Sequence, residues 1–283
     1  MDYSKYKPTD TYYSGSEKKI GIVIDGSEYM LKFQKKTAFG LRFNHISEYL
    51  GSHIFELLGF DAQKTFLGTY KGEQVVACKN FVSDNTGFVP FNDVGESTLD
   101  QDKETYQYDY IDIMQMLHDN SKLTDVNETI SMFWNMYIVD ALIGNFDRHR
   151  ANWGFLKQNN KYRLAPIFDN GSCLFPQLTD EEEMKNIIAS ETETNKRVFQ
   201  FPTSQIMLNG KKSSYFDVIS SLSFKECNEA LTTVVNKIDM SKINSLIDNT
   251  EFVTETHKAF YKHMLNARYS KILSSSFDTL TSR

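Results

Sequence analysis

The most informative stretch of this sequence is GNFDRHRAN at residues 144–152. It is followed by a short apolar run at 153–156, a polar turn, a second run at 162–168 and the tripeptide DNG at 169–171. Two apolar runs around a polar turn predict a β-hairpin. The sequence therefore predicts a polar loop, a hairpin directly after it, and an acidic residue where the hairpin ends.

The spacing of the acidic and amide residues in this stretch is that of a phosphoryl-transfer centre. Asn152 follows Asp147 by five positions, and Asp169 comes directly after the predicted hairpin. In protein kinases the first Asp accepts the proton of the substrate hydroxyl and the Asn binds Mg²⁺. A second Asp, followed closely by Gly, also holds metal. We expect Asp147 to be the catalytic residue, and Asn152 and Asp169 to be the metal ligands.

These residue types suit ATP-dependent phosphoryl transfer for a physical reason. The transferring γ-phosphoryl group spreads negative charge over its oxygens, and Mg²⁺ held by an amide oxygen and a carboxylate neutralises that charge. Asp147 would orient the incoming hydroxyl and accept its proton. Asp and Asn are also common in turns, so each residue alone could be a loop cap. The complete order of loop, hairpin and second Asp favours the catalytic interpretation.

The N-terminal part of the chain predicts antiparallel strands around one helix. The predicted strands are 20–24, 28–33, 65–70 and 73–82. An Asp-Gly dipeptide joins the first two and a Lys-Gly dipeptide joins the last two, which predicts two hairpins. Residues 44–58 predict a helix, with Asn44 as its N-cap and Gly59 as its stop signal.

Lys32 lies on the second predicted strand. A lysine there can contact the α- and β-phosphates of ATP, and a carboxylate from a helix can hold the ammonium in place. We predict Glu48 as that carboxylate, with Glu56 as the alternative. Lys32 could instead face solvent, as every second strand residue does. Glu48 could instead act only on the helix dipole. Both alternatives stay open from the sequence.

Two further segments are candidates for nucleotide contacts. A phosphate-covering loop, whose backbone N–H groups would be the donors, is predicted at Ser14, Gly15 and Ser16. A hinge that would bind the adenine edge through its backbone is predicted at Lys79, Asn80 and Phe81.

The sequence changes character after residue 82, where a polar segment leads into helices. The predicted helices are 106–118, 128–143, 180–191, 224–236 and 254–273. The helix at 128–143 is apolar on nearly all sides, which predicts a buried position. We expect an α+β, two-lobed fold with a β-rich N-lobe at 1–82 and a mostly helical C-lobe at 83–283.

Composition narrows the classes of partner and location. The 283 residues carry a net charge of −6, and this disfavours nucleic acid as a partner, because its binders usually carry a basic face. The three cysteines are far apart and lack metal-like spacing, which predicts reduced thiols and a cytoplasmic location. No apolar run is long enough for a membrane span, and the N-terminus lacks the apolar core of a signal peptide.

The central motifs resemble those of the HipA-like Ser/Thr kinases, and are closest to the short, CtkA-type branch of these bacterial enzymes. The stretches that carry the resemblance are NFDRHRANWGFL at 145–156 and APIFDNGSCLFP at 165–176. The similarity extends to YMLKF at 29–33, SEYLGSHIFELLGF at 47–60, LGTYKGEQVVACKNF at 67–81 and IDNTEF at 247–252. The resemblance therefore extends over most of the chain.

This resemblance implies a two-lobed, protein-kinase-like fold with ATP between the lobes and a protein substrate that offers a Ser or Thr hydroxyl. It implies the same roles for Asp147, Asn152, Asp169 and Lys32. It also implies autophosphorylation in the phosphate loop, at Ser14 or Ser16. An antitoxin or a host protein is an implied partner, and secretion into a host is open on the same ground.

Two other functions stay open at this point. The chain could phosphorylate a lipid or a small-molecule hydroxyl, because HipA-like folds also resemble phosphoinositide kinases. It could also be a non-catalytic, nucleotide-gated binding module, such as a pseudokinase or a toxin–antitoxin partner. A pure scaffold has no physical need for Lys32, Asp147, Asn152 and Asp169 together, which favours an enzyme.

Overall fold

The structure is a computed structural model that describes residues 1–11, 13, 18–38, 40–83, 85–91, 93, 109–120 and 122–282. The chain forms two compact units. The first comprises Met1–Phe81, Pro166–Ser190 and Asp239–His263, and the second comprises Val82–Ala165, Glu191–Ile238 and Met264–Arg283. The predicted α+β class is confirmed. The proposed division into lobes at 1–82 and 83–283 stays a prediction.

The elements are numbered along the chain. The strands are β1 Lys19–Ile24, β2 Ser27–Phe33, β3 Lys36–Thr37, β4 Gly40–Leu41, β5 Thr65–Tyr70, β6 Glu73–Lys79, β7 Gly87–Pro90, β8 Gly154–Gln158, β9 Lys161–Leu164, β10 Thr203–Leu208 and β11 Lys211–Ser214. The helices are α1 Asn44–Leu57, α2 Tyr110–Asp119, α3 Val126–Ile143, α4 Glu181–Ala189, α5 Glu191–Phe199, α6 Tyr215–Ser221, α7 Lys225–Lys237, α8 Met240–Asp248, α9 Glu255–Arg268 and α10 Ser275–Thr281. A π-helical segment, Tyr269–Ser274, joins the last two helices.

The first unit is built on an antiparallel sheet with the strand order β1-β2-β6-β5. Both predicted hairpins are confirmed. Each closes through a two-residue turn in which both residues have positive φ: 49° and 78° at Asp25 and Gly26, and 50° and 80° at Lys71 and Gly72. Such turns match the right-handed twist of the strands they join. Lys32 consequently lies on a central strand, opposite Lys19 on one side and Val76 on the other.

Helix α1 begins where predicted, but Asn44 is not its N-cap. The cap position is Phe43, and it makes no side-chain capping bond. Asn44 instead accepts a hydrogen bond from the Lys35 backbone N–H at 2.9 Å and donates to the Phe33 carbonyl at 3.2 Å. The side chain is buried, so its polar groups are satisfied by the chain that leaves β2. Gly59 follows the helix with φ 76°, as a stop signal should.

The second unit is centred on α3, which is buried along almost its whole length, as predicted. The Asp125 side chain caps its start by accepting from the Glu128 N–H, and Gly144 ends it with φ 65°. α3 packs against α7. It therefore delivers the 144–152 loop from a rigid element of this unit.

The predicted hairpin after the loop is present as β8 and β9, which join β7 in a three-stranded sheet. Its second strand ends at Leu164 rather than at 168, because Pro166 has no N–H to continue a ladder. The β10–β11 hairpin was missed. Its turn, Asn209-Gly210, has φ values of 50° and 70°, and this dipeptide was the signal that could have found it.

Two expectations from composition can be compared with the described part of the chain. No helix in it is both long and apolar enough to cross a membrane. All three cysteines lie in it, and they are buried and form no disulfide, as predicted for reduced thiols.

Candidate active site

Lys32 is held between two carboxylates of the first unit. Its Nζ lies 2.8 Å from Glu48 Oε2 and 2.8 Å from Asp169 Oδ1. The Lys32 side chain is only 6% exposed, so it does not face solvent as the strand alternative required. Glu56, the alternative partner, pairs with Lys64 instead. The predicted pairing of Lys32 with Glu48 is therefore present.

Burial and charge act in opposite directions on the Lys32 ammonium. Burial lowers the pKa of Lys32, but the negative charges of Asp169 and Glu48 outweigh it and raise this pKa well above its ordinary value. The side chain is therefore a fixed positive charge at neutral pH. A charge of this kind suits the binding of a phosphate group.

Glu48 also positions the backbone beside Asp169. Its Oε2 binds Lys32, and its Oε1 accepts the Asn170 backbone N–H at 3.0 Å. Asn170, which is fully buried, donates its side-chain Nδ2 to Ser52 Oγ on α1 at 3.0 Å. One carboxylate that is 1% exposed thus fixes both the lysine and the segment that carries Asp169.

The segment around Asp169 has a constrained backbone. Asp169 has φ 58°, a left-handed conformation that is uncommon for residues other than glycine. Its side chain is 39% exposed, so the carboxylate that pairs with Lys32 is also partly accessible to solvent. A Cβ on Gly51 of α1 would lie 2.6 Å from Asn170 Cβ, so only glycine lets the segment pack this closely. Such strain, maintained by the surrounding contacts, is a common feature of functional sites.

The predicted adenine contacts are only partly available. The Lys79 N–H donates to the Lys64 carbonyl and the Lys79 carbonyl accepts from Gln63. The Asn80 N–H donates to the Glu28 carbonyl. A nucleotide that used these groups would have to replace protein hydrogen bonds. The predicted phosphate-loop residues Ser14, Gly15 and Ser16 lie outside the described residues.

In the second unit, Asp147 and Asn152 are joined by a direct hydrogen bond. Asn152 Nδ2 donates to the Asp147 carbonyl at 2.7 Å. This bond orients the amide, so Oδ1 is the group that remains to bind a ligand, and amide oxygens are ligands that Mg²⁺ accepts. The Asp147 N–H donates to Asn145 Oδ1 at 3.1 Å, which fixes the start of the loop.

Asp140 and Arg148 form a buried pair that the sequence interpretation missed. Arg148 binds the Asp140 carboxylate through Nε at 2.9 Å and Nη2 at 3.0 Å, and both side chains are 2% exposed. Arg148 Nη1 also donates to the Asn152 carbonyl at 3.0 Å, and Asn145 Nδ2 donates to Asp140 Oδ1 at 3.1 Å. One carboxylate at the end of α3 thus supports Asp147 through Asn145 and Asn152 through Arg148. The available signal was an acid inside the otherwise apolar run at 136–143.

The predicted metal ligands lie in different units, and each is of a chemical type that a magnesium–nucleotide complex uses. Among the residues that the structure describes, no three His, Cys, Asp or Glu side chains are grouped to hold an ion. Mg²⁺ in kinases takes one or two protein oxygens and completes its shell with substrate phosphates and water. The first unit has the Asp169 carboxylate and the buried positive charge of Lys32. The second unit has the Asn152 amide oxygen.

Comparison with known proteins gives consistent matches over most of the chain. The family profile for the HipA-like C-terminal domain matches residues 11–252. The chain is 36% identical over 278 residues to the serine/threonine-protein kinase CtkA of Helicobacter pylori, covering 96% of this chain and 85% of that protein. The crystal structure of the H. pylori proinflammatory kinase CtkA superposes with a TM-score of 0.91 at 35% identity, covering 98% of this chain and 97% of that chain.

A more distant structure shares the fold. A chain from the complex of HipA, HipB and operator DNA of the Shewanella oneidensis MR-1 toxin–antitoxin system superposes with a TM-score of 0.62 at 14% identity. The match covers 95% of this chain and 67% of that chain. The family profile and the 36% identical relative both extend over most of this sequence. The chain therefore belongs to the HipA-like C-terminal domain family.

Proposed function

We propose that this protein is an ATP-dependent, Mg²⁺-requiring Ser/Thr protein kinase of the HipA and CtkA type. The observation that carries the proposal is the buried Lys32, held between Glu48 and Asp169 at 2.8 Å from each. The 36% identical relative named as a serine/threonine-protein kinase supports the same conclusion. The net charge of −6 favours a protein over a nucleic acid as the macromolecular substrate.

Each residue has a separate role in the proposed reaction. Lys32 binds the α- and β-phosphates as a fixed positive charge, and Glu48 holds it in place. Phe81, with Lys79 and Asn80, lies in the segment proposed for the adenine edge. Ser14, Gly15 and Ser16 are proposed to cover the phosphates, and Ser14 or Ser16 to be autophosphorylated.

The remaining residues would bind the metal and position the acceptor hydroxyl. Asn152 and Asp169 would hold Mg²⁺, which would neutralise the charge on the transferring phosphoryl group when bound. Asp147 orients the Ser or Thr hydroxyl and accepts its proton, so its contribution is mostly one of positioning. The ties from Asn145 and Arg148 keep Asp147 and Asn152 in one arrangement before substrate arrives.

The test is transfer from γ-labelled ATP with Mg²⁺, followed by mass spectrometry of the protein itself and of added proteins. Asp147→Ala should lower labelling by about two orders of magnitude or more while leaving ATP affinity nearly unchanged. Asp169→Asn should abolish transfer and also weaken Mg²⁺-dependent ATP binding, because a charged hard ligand is lost. Asp119→Ala removes an exposed acid of the same unit as Asp147 and is the matched control.

Thermal unfolding with and without Mg²⁺-ATP shows which variants are folded and still bind nucleotide. If Asp147→Ala labels at the wild-type rate, Asp147 is not the catalytic residue. If the wild type labels neither itself nor any added protein, a lipid or small-molecule substrate, or a non-catalytic binding module, becomes the better explanation.

A further inference from the structure

An exposed aromatic pair adjoins the proposed catalytic residue. Phe201 is 49% exposed, and its ring centroid lies 5.4 Å from that of Phe146. Phe146 is bonded directly to Asp147, so the two Cα atoms are about 3.8 Å apart. Phe146 and Phe201 together form an aromatic shelf. The shelf and Asp147 belong to the same compact unit.

Hydrogen bonds and packing hold the backbone segments that carry the two rings of the aromatic shelf. Gln205 Nε2, from β10, donates to the Phe146 carbonyl at 2.7 Å. The Phe201 N–H donates to the Lys196 carbonyl at 3.2 Å, which ties it to α5. The next residue, Pro202, is buried, and its Cγ would lie 3.3 Å from a Cβ placed on Gly144. Both rings are therefore carried by segments that are bonded or packed against the start of the catalytic loop.

A buried arginine holds the two segments behind the shelf. Arg268 is 1% exposed, and its Nε donates to the Ala141 carbonyl at 2.6 Å, in the last turn of α3. Its Nη1 donates to the Arg197 carbonyl at 2.7 Å, near the end of α5. Burial lowers the pKa of Arg268 to about 10, so it remains charged at neutral pH. A cation suits the negative ends of both helix dipoles.

Isolated exposed phenylalanines are ordinary on protein surfaces and require no explanation. The aromatic shelf differs because its exposed ring is paired with the neighbour of Asp147 and is anchored by Gln205 and Arg268. A rigid apolar surface beside a catalytic group loses little conformational entropy when it binds a ligand. Its natural occupant is the part of the substrate chain next to the reacting hydroxyl.

We infer that the aromatic shelf binds an apolar side chain of the protein substrate, within about three residues of the Ser or Thr that is phosphorylated. An extended chain advances at most about 3.3–3.6 Å per residue, so three residues reach about 10 Å from the hydroxyl. The inference rests on the proposed kinase function and adds a substrate class to it: Ser/Thr sites with a nearby Leu, Ile, Met or Phe.

The test uses synthetic peptides with one Ser in a background of Gln and Gly. Leu replaces Gln in turn at each of the three positions before and after the Ser. For the wild type, the best Leu peptide should exceed the all-Gln peptide by about tenfold in kcat/KM, mainly through a lower KM. Phe201→Ala should reduce this ratio to within about twofold, and Phe201→Leu should keep part of it.

The matched control is Phe66→Ala. Phe66 is 47% exposed and belongs to the other unit, on β5, where its ring contacts Tyr29. This variant should keep the wild-type ratio, because it removes an equally exposed ring that is not part of the shelf.

Three results would overturn the inference: equal use of Leu and Gln peptides by the wild type, an unchanged ratio in Phe201→Ala, or self-labelling without labelling of any peptide. Absence of all labelling, including self-labelling, would instead refute the protein-kinase function on which the inference depends.

Discussion

The substitution Asp140→Asn should destabilise this protein strongly although it preserves the shape of the side chain. The Asp140 carboxylate accepts hydrogen bonds from Arg148 at 2.9 and 3.0 Å and from Asn145 at 3.1 Å. The variant removes the Asp140 charge that pairs with the Arg148 guanidinium, which is 2% exposed. Removing one partner of a buried pair costs about 3–5 kcal/mol. We expect the free energy of unfolding in urea to fall by that amount, out of about 5–15 kcal/mol for a typical domain.

The double variant Asp140→Leu/Arg148→Met separates stability from positioning. Replacing a buried ion pair by apolar residues of similar volume is often neutral or stabilising, so the double variant should be more stable than Asp140→Asn. Its phosphoryl transfer should nevertheless be lost, because the Asn152 carbonyl loses Arg148 and Asn145 loses its acceptor. Glu229→Gln, which breaks an exposed ion pair with Lys225, is the control and should change little.

Two results would refute this reasoning. If Asp140→Asn unfolds within about 1 kcal/mol of the wild type, the pair does not contribute as a buried ion pair should. If the folded double variant transfers phosphate at the wild-type rate, the pair does not position Asp147 and Asn152.

Two further predictions concern the first unit. Gly51→Ala should lower the free energy of unfolding by about 1–2 kcal/mol and weaken nucleotide binding. The added Cβ would press on Asn170 beside Asp169, and this overpacking costs more than the gain in helix propensity. A variant with the wild-type melting temperature and ATP affinity would contradict this prediction. His45→Gln should make the free energy of unfolding depend less on pH below about pH 6.5. Burial lowers the pKa of His45 to about 4, so below about pH 6.5 the unfolded state binds a proton that the folded state does not. Wild-type stability should therefore fall by about 3 kcal/mol between pH 6.5 and 4 from this residue. Parallel urea-unfolding profiles of the two proteins over this range would exclude that role.

Much of the fold could be predicted because its signals are local. The dipeptides Asp25-Gly26 and Lys71-Gly72 carry the positive φ values of tight hairpin turns, and both hairpins are present. The apolar pattern at 128–143 predicted a buried helix, and α3 is one. The interpretation of Asn44 was wrong because an Asn before an apolar run looks like a cap. Its actual partners, Lys35 and Phe33, are defined only when β2 and α1 are in place.

The sequence by itself determined the candidates for chemistry, because the five-residue interval between Asp147 and Asn152 and the hairpin before Asp169 are properties of the local chain. Only the tertiary structure decided how those candidates are held. Lys32 meets Asp169 across 137 residues, and Arg268 meets Ala141 across 127. Such contacts leave no periodic pattern in the sequence. Their strength comes from burial, which removes the competing water and makes each charge depend on a particular partner.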